Sequence, residues 1–252
     1  MPLPRGAAPA VTGRALALSP HLDDAAFSAG GALARLAQDG WDVVIATLFT
    51  ASVPDPQGFA LACQLDKGLP ADVDYMAIRR AEDEAACAAL GARAMHLPLR
   101  EAPHRGYTSA AALFQPPHAG DVADGDACDV VAPLLRDLKP DLLLVPQAIG
   151  GHVDHVMLVR AVQALAPSAP ILWWYDFPYT TRADTPRRPF EDVLASLPEV
   201  PLPTDPAAKL AACAAYATQL GFQFGGAAGL ARALDATGGR EVARLQGTMP
   251  AA

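Results

Sequence analysis

Residues 141–155 read DLLLVPQAIGGHVDH. Leu142 to Val145 is an uninterrupted apolar run closed by Pro146, the pattern of a strand buried on both faces rather than one. Gly150 and Gly151 then turn the chain, and His152, Asp154 and His155 stand where the next helical stretch begins. Residues 15–24, ALALSPHLDD, repeat the design. Ala15 to Leu18 forms a buried strand that stops at Ser19-Pro20, and His21, Asp23 and Asp24 lead into a helix. Buried strands that each feed a helix suggest a parallel sheet covered on both faces.

The rest of the chain extends this α/β pattern. Helices are expected over Asp24 to Gln38, Tyr75 to Leu90, Cys128 to Leu138, His155 to Leu165, Ala207 to Leu220 and Ala228 to Ala236. Further buried strands are expected over Trp41 to Phe49, Ala92 to Leu97 and Ile171 to Tyr175. Residues 1–13 read as a loose lead-in. A Pro/Asp/Gly-containing loop follows Phe49, and 176–205 reads as a Pro-rich connection. Residues 99–125 carry Pro, Gly, His and Asp without periodicity, the signature of a lid or substrate loop. The whole chain, 1–252, is expected to be one domain with its core at about 14–225. No dinucleotide fingerprint, G-x-G-x-x-G, follows the first strand, so a nucleotide cofactor has no support.

Composition narrows the function classes. The net charge is −8, and only 18% of residues are charged, below the roughly 25% of ordinary soluble domains. The surplus is largely alanine, and no apolar run approaches the ~18–20 residues of a membrane span. No Lys/Arg-rich block is present, which argues against a nucleic-acid partner. The four cysteines, Cys63, Cys87, Cys128 and Cys213, form no C-x-x-C pair, consistent with reduced thiols in a cytoplasmic protein.

Chemistry concentrates in the two quoted stretches. Three of six histidines and three carboxylates lie just beyond buried strands, where ligands of open α/β sheets sit. Imidazole and carboxylate together suit a zinc-type divalent ion held by three protein ligands. Either stretch alone reads as a turn with a helix cap; the pair at matching strand ends points to a metal site.

These stretches resemble the paired signatures of the PIG-L/LmbE-like family of zinc-dependent N-acetylglucosamine-type deacetylases. The resemblance extends to Gly30-Gly31, to Arg79-Arg80-Ala81-Glu82 with Leu90-Gly91, to Tyr175-Asp176-Phe177-Pro178, and to Lys209 with Tyr216-Ala217-Thr218-Gln219. It covers roughly residues 14–225. It implies a Rossmann-like, mostly parallel sheet with a metal site at the C-terminal ends of the strands. It implies His21, Asp24 and His155 as ligands of Zn2+ or another divalent metal. Asp23 is then the general base that activates water, His152 polarises the carbonyl or protonates the leaving amine, and Asp154 orients a histidine. Leu22 and Ala25 depart from the usual Pro and Glu of the first motif. Gly150 stands where some relatives carry a tyrosine that assists the oxyanion, so that help is absent or comes from another loop.

The resemblance implies a small N-acylated sugar substrate. Arg79 matches a substrate-contacting arginine, and Glu101 and Arg105 are expected to reach sugar hydroxyls or a phosphate. His104 and His118 read as surface residues, and Trp173 and Trp174 as packing on opposite faces of the sheet. The competing reading is an inactive or non-enzymatic module that holds metal or glycan; the pairing of Asp23 with His152 speaks against it, because binding alone needs neither. Homo-oligomers occur in the family, and the sequence leaves that state open.

Overall fold

The computed structural model describes residues 12–181 and 187–250, so most of the expected lead-in lies outside the described residues. In chain order the elements are β1 (Arg14–Ser19), α1 (Asp24–Gln38), β2 (Asp42–Thr47), α2 (Gly58–Leu65), α3 (Tyr75–Leu90), β3 (Arg93–His96), α4 (Ala123–Leu138), β4 (Leu142–Pro146), α5 (Val153–Leu165), β5 (Ile171–Trp174), α6 (Glu191–Leu194), β6 (Glu199–Leu202), α7 (Pro206–Ala215), α8 (Ala217–Phe224), α9 (Ala227–Asp235) and β7 (Glu241–Gln246). The strands form one sheet in the order β3-β2-β1-β4-β5-β7-β6. The first five are parallel, and β7 joins β5 and β6 antiparallel.

Why the strands read as continuous apolar runs is visible in the packing. Ala15, Ala17, Leu142, Leu144 and Trp174 enter one apolar layer, with α1, α3 and α7. Leu16, Leu18, Leu143, Val145 and Trp173 enter the other, with α4 and α5. Both tryptophans are therefore packing residues, one per face, as the pleat demands. Since α1 and α5 lie on opposite faces, the chain parts between β1 and β4, which are direct neighbours. That crevice is where an open α/β sheet presents its ligand site.

Three parts of the chain differ from expectation. The loop after Phe49 contains α2, eight residues whose run was too short to outweigh its Pro and Asp flanks. The connection 176–205 contains α6 and β6, and the tail supplies β7, so the sheet continues past residue 225. The expected helix over Ala207 to Leu220 breaks at Tyr216, whose hydroxyl donates to Asp83 Oδ1 at 2.7 Å. No helix among the described residues is long and apolar enough to cross a membrane.

β7 also holds the helix that carries the first motif. α1 is kinked at Ala29 (φ −131°, ψ 16°). The backbone N–H groups of Gly31 and Ala32 donate to the Glu241 carboxylate at 3.0 and 2.7 Å, and Lys209 Nζ donates to it at 2.6 Å. All of this is buried. Glu241→Gln removes the charge that faces Lys209 and weakens both backbone bonds. The expected loss is about 2–3 kcal/mol of unfolding free energy, read by urea denaturation. An unchanged midpoint would show that the kink does not depend on this carboxylate.

Candidate functional site

The turn after β1 is organised by side chains. Ser19 Oγ donates to the His21 carbonyl at 2.7 Å and accepts from Ala25 N–H at 3.1 Å. Asp24, the first residue of α1, accepts from His21 N–H at 2.9 Å. Leu22, in place of the family's proline, is fully buried. On the other side of the crevice, His152 is the N-cap of α5, its Nδ1 accepting from Asp154 N–H at 3.2 Å. Asp154 and His155 follow on the first turn and are buried.

Each of two histidines is tied outward by a carboxylate and presents its other nitrogen inward. His21 Nε2 donates to Asp154 Oδ2 at 2.9 Å, and its Nδ1 lies 3.1 Å from Asp24 Oδ2. His155 Nδ1 donates to Asp176 Oδ1 at 2.9 Å, and its Nε2 lies 3.1 Å from the same Asp24 oxygen. That Nε2 is buried and makes no hydrogen bond, so it is poorly aligned on Asp24 despite the distance. Nitrogen and oxygen donors at about 2.0–2.2 Å from one tetrahedral ion stand roughly 3.3–3.5 Å apart. The two nitrogen-to-Asp24 distances, both 3.1 Å, fall slightly inside that spacing, and carboxylate-bound outer nitrogens are how metal-ligating imidazoles are oriented. Donor atoms of His21, His152 and His155 all lie within 4.8 Å of one another. The cluster is thus compatible with a divalent cation.

The electrostatics agree. Burial opposes charge on His21, yet Asp154 and Asp24 outweigh it and hold the imidazole well above its usual pKa. His155 is likewise raised, to about 9, by Asp24 and Asp176 against burial. The field at this point favours positive charge. His152 behaves oppositely. Burial, helped by neighbouring His21 and His155, pushes it down to about 3 despite Asp154. It is a neutral imidazole whose Nδ1 is an acceptor, so the proton resides on Nε2.

Asp23 stands beside the cluster. Its Oδ2 accepts from Gln223 Nε2 at 2.9 Å, and its Oδ1 lies 3.3 Å from Arg79 Nη2. Burial raises its pKa despite the Arg79 charge. Arg79 also donates to Glu101 Oε1 at 2.7 Å. These residues line a cleft of about 250 Å³ together with His21, Asp24 and His152.

Arg105 is placed differently from the sequence expectation. It does not line this cleft. Its guanidinium donates to Asp154 Oδ1 at 2.6 Å and to Asp121 at 3.0 and 3.1 Å. With Ala102 N–H, which donates to Asp154 Oδ2 at 3.1 Å, Arg105 holds the carboxylate that orients His21. Asp154 sits well below the usual carboxylate pKa: the hydrogen bond from His21 and the Arg105 charge outweigh burial. Asp154 orients His21 rather than His152, whose Nδ1 is 4.0 Å away.

Other residues were not singled out by sequence reasoning. Asp176 orients His155 and accepts from Ile149 N–H at 2.9 Å; its only signal was its place in the Tyr175–Pro178 stretch. Gln223 touches Asp23 from α8, which no local pattern announces. His104, expected on the surface, lines the cleft, while His118 is exposed as expected. Tyr179, from the segment after β5, covers Gly150 so closely that a Cβ there (φ +99°) would lie 2.8 Å from its ring. The space beside Gly150 is thus filled from another loop.

The chain is similar to known proteins. Residues 16–166 match the family described as PIG-L, GlcNAc-PI de-N-acetylase. A 2'-N-acetylparomamine deacetylase of Streptomyces fradiae is 36% identical over 176 residues, 68% of this chain and 60% of that protein. A 1D-myo-inositol 2-acetamido-2-deoxy-alpha-D-glucopyranoside deacetylase of Corynebacterium glutamicum (strain R) is 32% identical over 177 residues, 64% of this chain and 55% of that protein. The matches thus span 55% to 60% of these curated relatives. The crystal structure of the A40926 pseudoaglycone deacetylase Dbv21 superposes with a TM-score of 0.76 at 28% identity, covering 95% of this chain and 99% of that one.

Proposed function

The chain belongs to the PIG-L family, and from that membership we propose that it is a metal-dependent hydrolase that removes an N-acetyl, or another N-acyl, group from an amino sugar or its conjugate. The observation that carries this reading is one juxtaposition. A carboxylate outside the donor cluster, Asp23, and a neutral imidazole, His152, line the same cleft as that cluster.

The donor set His21, Asp24 and His155 suits zinc, being two imidazoles and a carboxylate. Asp24 is preferred to His152 as third ligand because its oxygen is 3.1 Å from both inward nitrogens and His152 Nδ1 is engaged at the helix cap. A divalent ion held there supplies Lewis acidity, which acidifies water and polarises a carbonyl. Asp23 takes the proton from the attacking water. Its raised pKa makes it able to hold that proton and then pass it to the leaving nitrogen. His152, neutral at physiological pH, donates a hydrogen bond from Nε2–H to the oxyanion that develops on the amide oxygen. Arg79, paired with Asp23 and Glu101, positions the base and offers donors at the cleft wall. Acetate and a free amine leave. A module that only holds metal or glycan would have no use for the Asp23–His152 pair.

The test is acetate release from a panel of N-acetylated amino sugars. Turnover is expected with zinc, is abolished by a chelator and returns on adding zinc back. Failure of every acyl substrate with metal fully bound would overturn the reading.

A further inference from the structure

We infer that Gln223 is a positioning residue: its side-chain amide sets the plane of the Asp23 carboxylate, and one face of α3 keeps it there by fixing α8. The inference rests on the hydrolase reading above and adds to it the group that aims the proposed base.

A carboxylate turns easily about the bond to its stem, because that torsion has broad wells. Aiming Asp23 at a water therefore needs a partner on each oxygen. Arg79 Nη2 stands 3.3 Å from Oδ1, longer than the roughly 2.7–2.9 Å of a firm charge-assisted bond. Gln223 Nε2 stands 2.9 Å from Oδ2 and is the closer of the two. Its amide is an uncharged donor, so it orients the carboxylate without adding a second cation beside Arg79. The two donors leave the remaining lone pairs of the carboxylate to take a proton from water.

Gln223 can do this only if α8 stays in place, and α8 has little stability of its own. It is eight residues long, follows a non-helical Tyr216 (φ −81°, ψ 58°) and ends at Gly225 and Gly226, both at positive φ. Helices this short are marginal in isolation. The side chain at its own N-cap makes no capping bond. The Glu82 carboxylate of α3 takes that part, accepting from Thr218 N–H at 2.8 Å and from Thr218 Oγ1 at 2.7 Å. Gln219 Nε2 donates to the Tyr75 hydroxyl at 3.2 Å, and the Tyr216 hydroxyl donates to Asp83 at 2.7 Å. Tyr75, Arg79, Glu82 and Asp83 stand at i, i+4, i+7 and i+8, which is one face of α3. That face holds Asp23 directly through Arg79 and holds its second partner through α8. At the far end of α8 the Phe224 ring stacks on Phe177, centroids 5.9 Å apart, and meets Phe27 edge-on at 5.3 Å. Phe27 lies one turn of α1 beyond Asp23, so the base and its amide donor are fixed against the same helix.

Gln223→Met tests this, because it keeps the unbranched stem and removes the donor. With the fastest substrate of the acetate-release panel, kcat is expected to fall about 10–100-fold while KM, zinc content and the thermal midpoint hold. Glu82→Ala and the milder Thr218→Val loosen α8 and are expected to lower kcat in the same way. Added to Gln223→Met, neither lowers it further, because both act through the same amide; Thr218→Val carries this comparison where Glu82→Ala does not fold. In zinc-free protein the α8 amides of Glu82→Ala are expected to exchange hydrogen about tenfold faster, a change that Gln223→Met does not produce. The parent kcat in Gln223→Met overturns the inference, as does a raised KM at unchanged kcat, which would make Gln223 a substrate contact. Losses that multiply in the double variants, or α8 amides that keep their protection in Glu82→Ala, overturn the hold of α3 on Gln223. Each of these leaves the hydrolase reading standing. Absence of turnover by the zinc-loaded parent protein on every member of the panel removes that reading and this inference with it.

Discussion

Asp23→Asn is expected to lower kcat by about a thousandfold with zinc content unchanged, a loss of about 4 kcal/mol in transition-state stabilisation. The argument rests on where the side chain stands. Asp23 is adjacent in sequence to Asp24 but points to a different set of partners, Arg79 and Gln223, and touches neither inward imidazole nitrogen. Asparagine keeps the volume; its one oxygen can still accept from Arg79, its NH2 can donate to Gln223 once that amide is turned over, and Arg79 keeps its 2.7 Å bond to Glu101. What disappears is a group that can take a proton from water. Asp24→Asn is the contrasting variant. It weakens the oxygen donor shared by His21 and His155 and is expected to release metal, with loss of activity that excess zinc partly restores. Measuring bound zinc beside turnover separates the two carboxylates. Full turnover in a zinc-replete Asp23→Asn protein would remove Asp23 from the proton-transfer role.

How much of this was legible in the sequence depends on the range of the interaction. The turns carrying His21, Asp24, His152 and His155 were readable because each motif is local and follows a strand that must be buried. Their meeting was readable too, because β1 and β4 end on the same side of a parallel sheet. Asp176, Gln223 and Glu241 could not be placed in this way. Each reaches its partner across a long stretch of chain: Asp176 to His155 over 21 residues, Gln223 to Asp23 over 200, Glu241 to Gly31 over 210. No periodicity or spacing rule encodes such a contact. Arg105 shows the same limit from the other direction. Its type suggested a sugar or phosphate contact, but Asp121 and Asp154 engage its Nε and Nη2 and its Nη1 donates to the Arg100 carbonyl. β6 and β7 escaped notice because an antiparallel pair at a sheet edge alternates apolar with polar residues, and here each strand is at most six residues long.

The same network makes Asp154→Ala the most consequential change away from the reacting groups. Asp154 is fully buried and accepts from three donors on two segments: the His21 imidazole after β1, and the Ala102 backbone and Arg105 guanidinium of the loop after β3. Alanine leaves Ala102 N–H without its acceptor and strips Arg105 of one of two carboxylates inside the protein. The expected cost is about 3 kcal/mol of unfolding free energy. It also frees His21 to rotate, since Nε2 loses the bond that turns Nδ1 toward Asp24, and this should weaken zinc binding by about 10–100-fold. The two losses are separable. Unfolding measured in the presence of a chelator reads the lost Asp154 hydrogen bonds without any metal contribution, so the stability deficit persists there. Zinc titration of the folded variant reads the His21 term. Asp176→Ala should reproduce the weaker zinc binding through His155, while leaving the Arg105 contacts intact. If Asp154→Ala kept its zinc affinity, His21 would have to be held by Asp24 and its own turn alone. The carboxylate would then serve the loop that bears Arg105 rather than the metal.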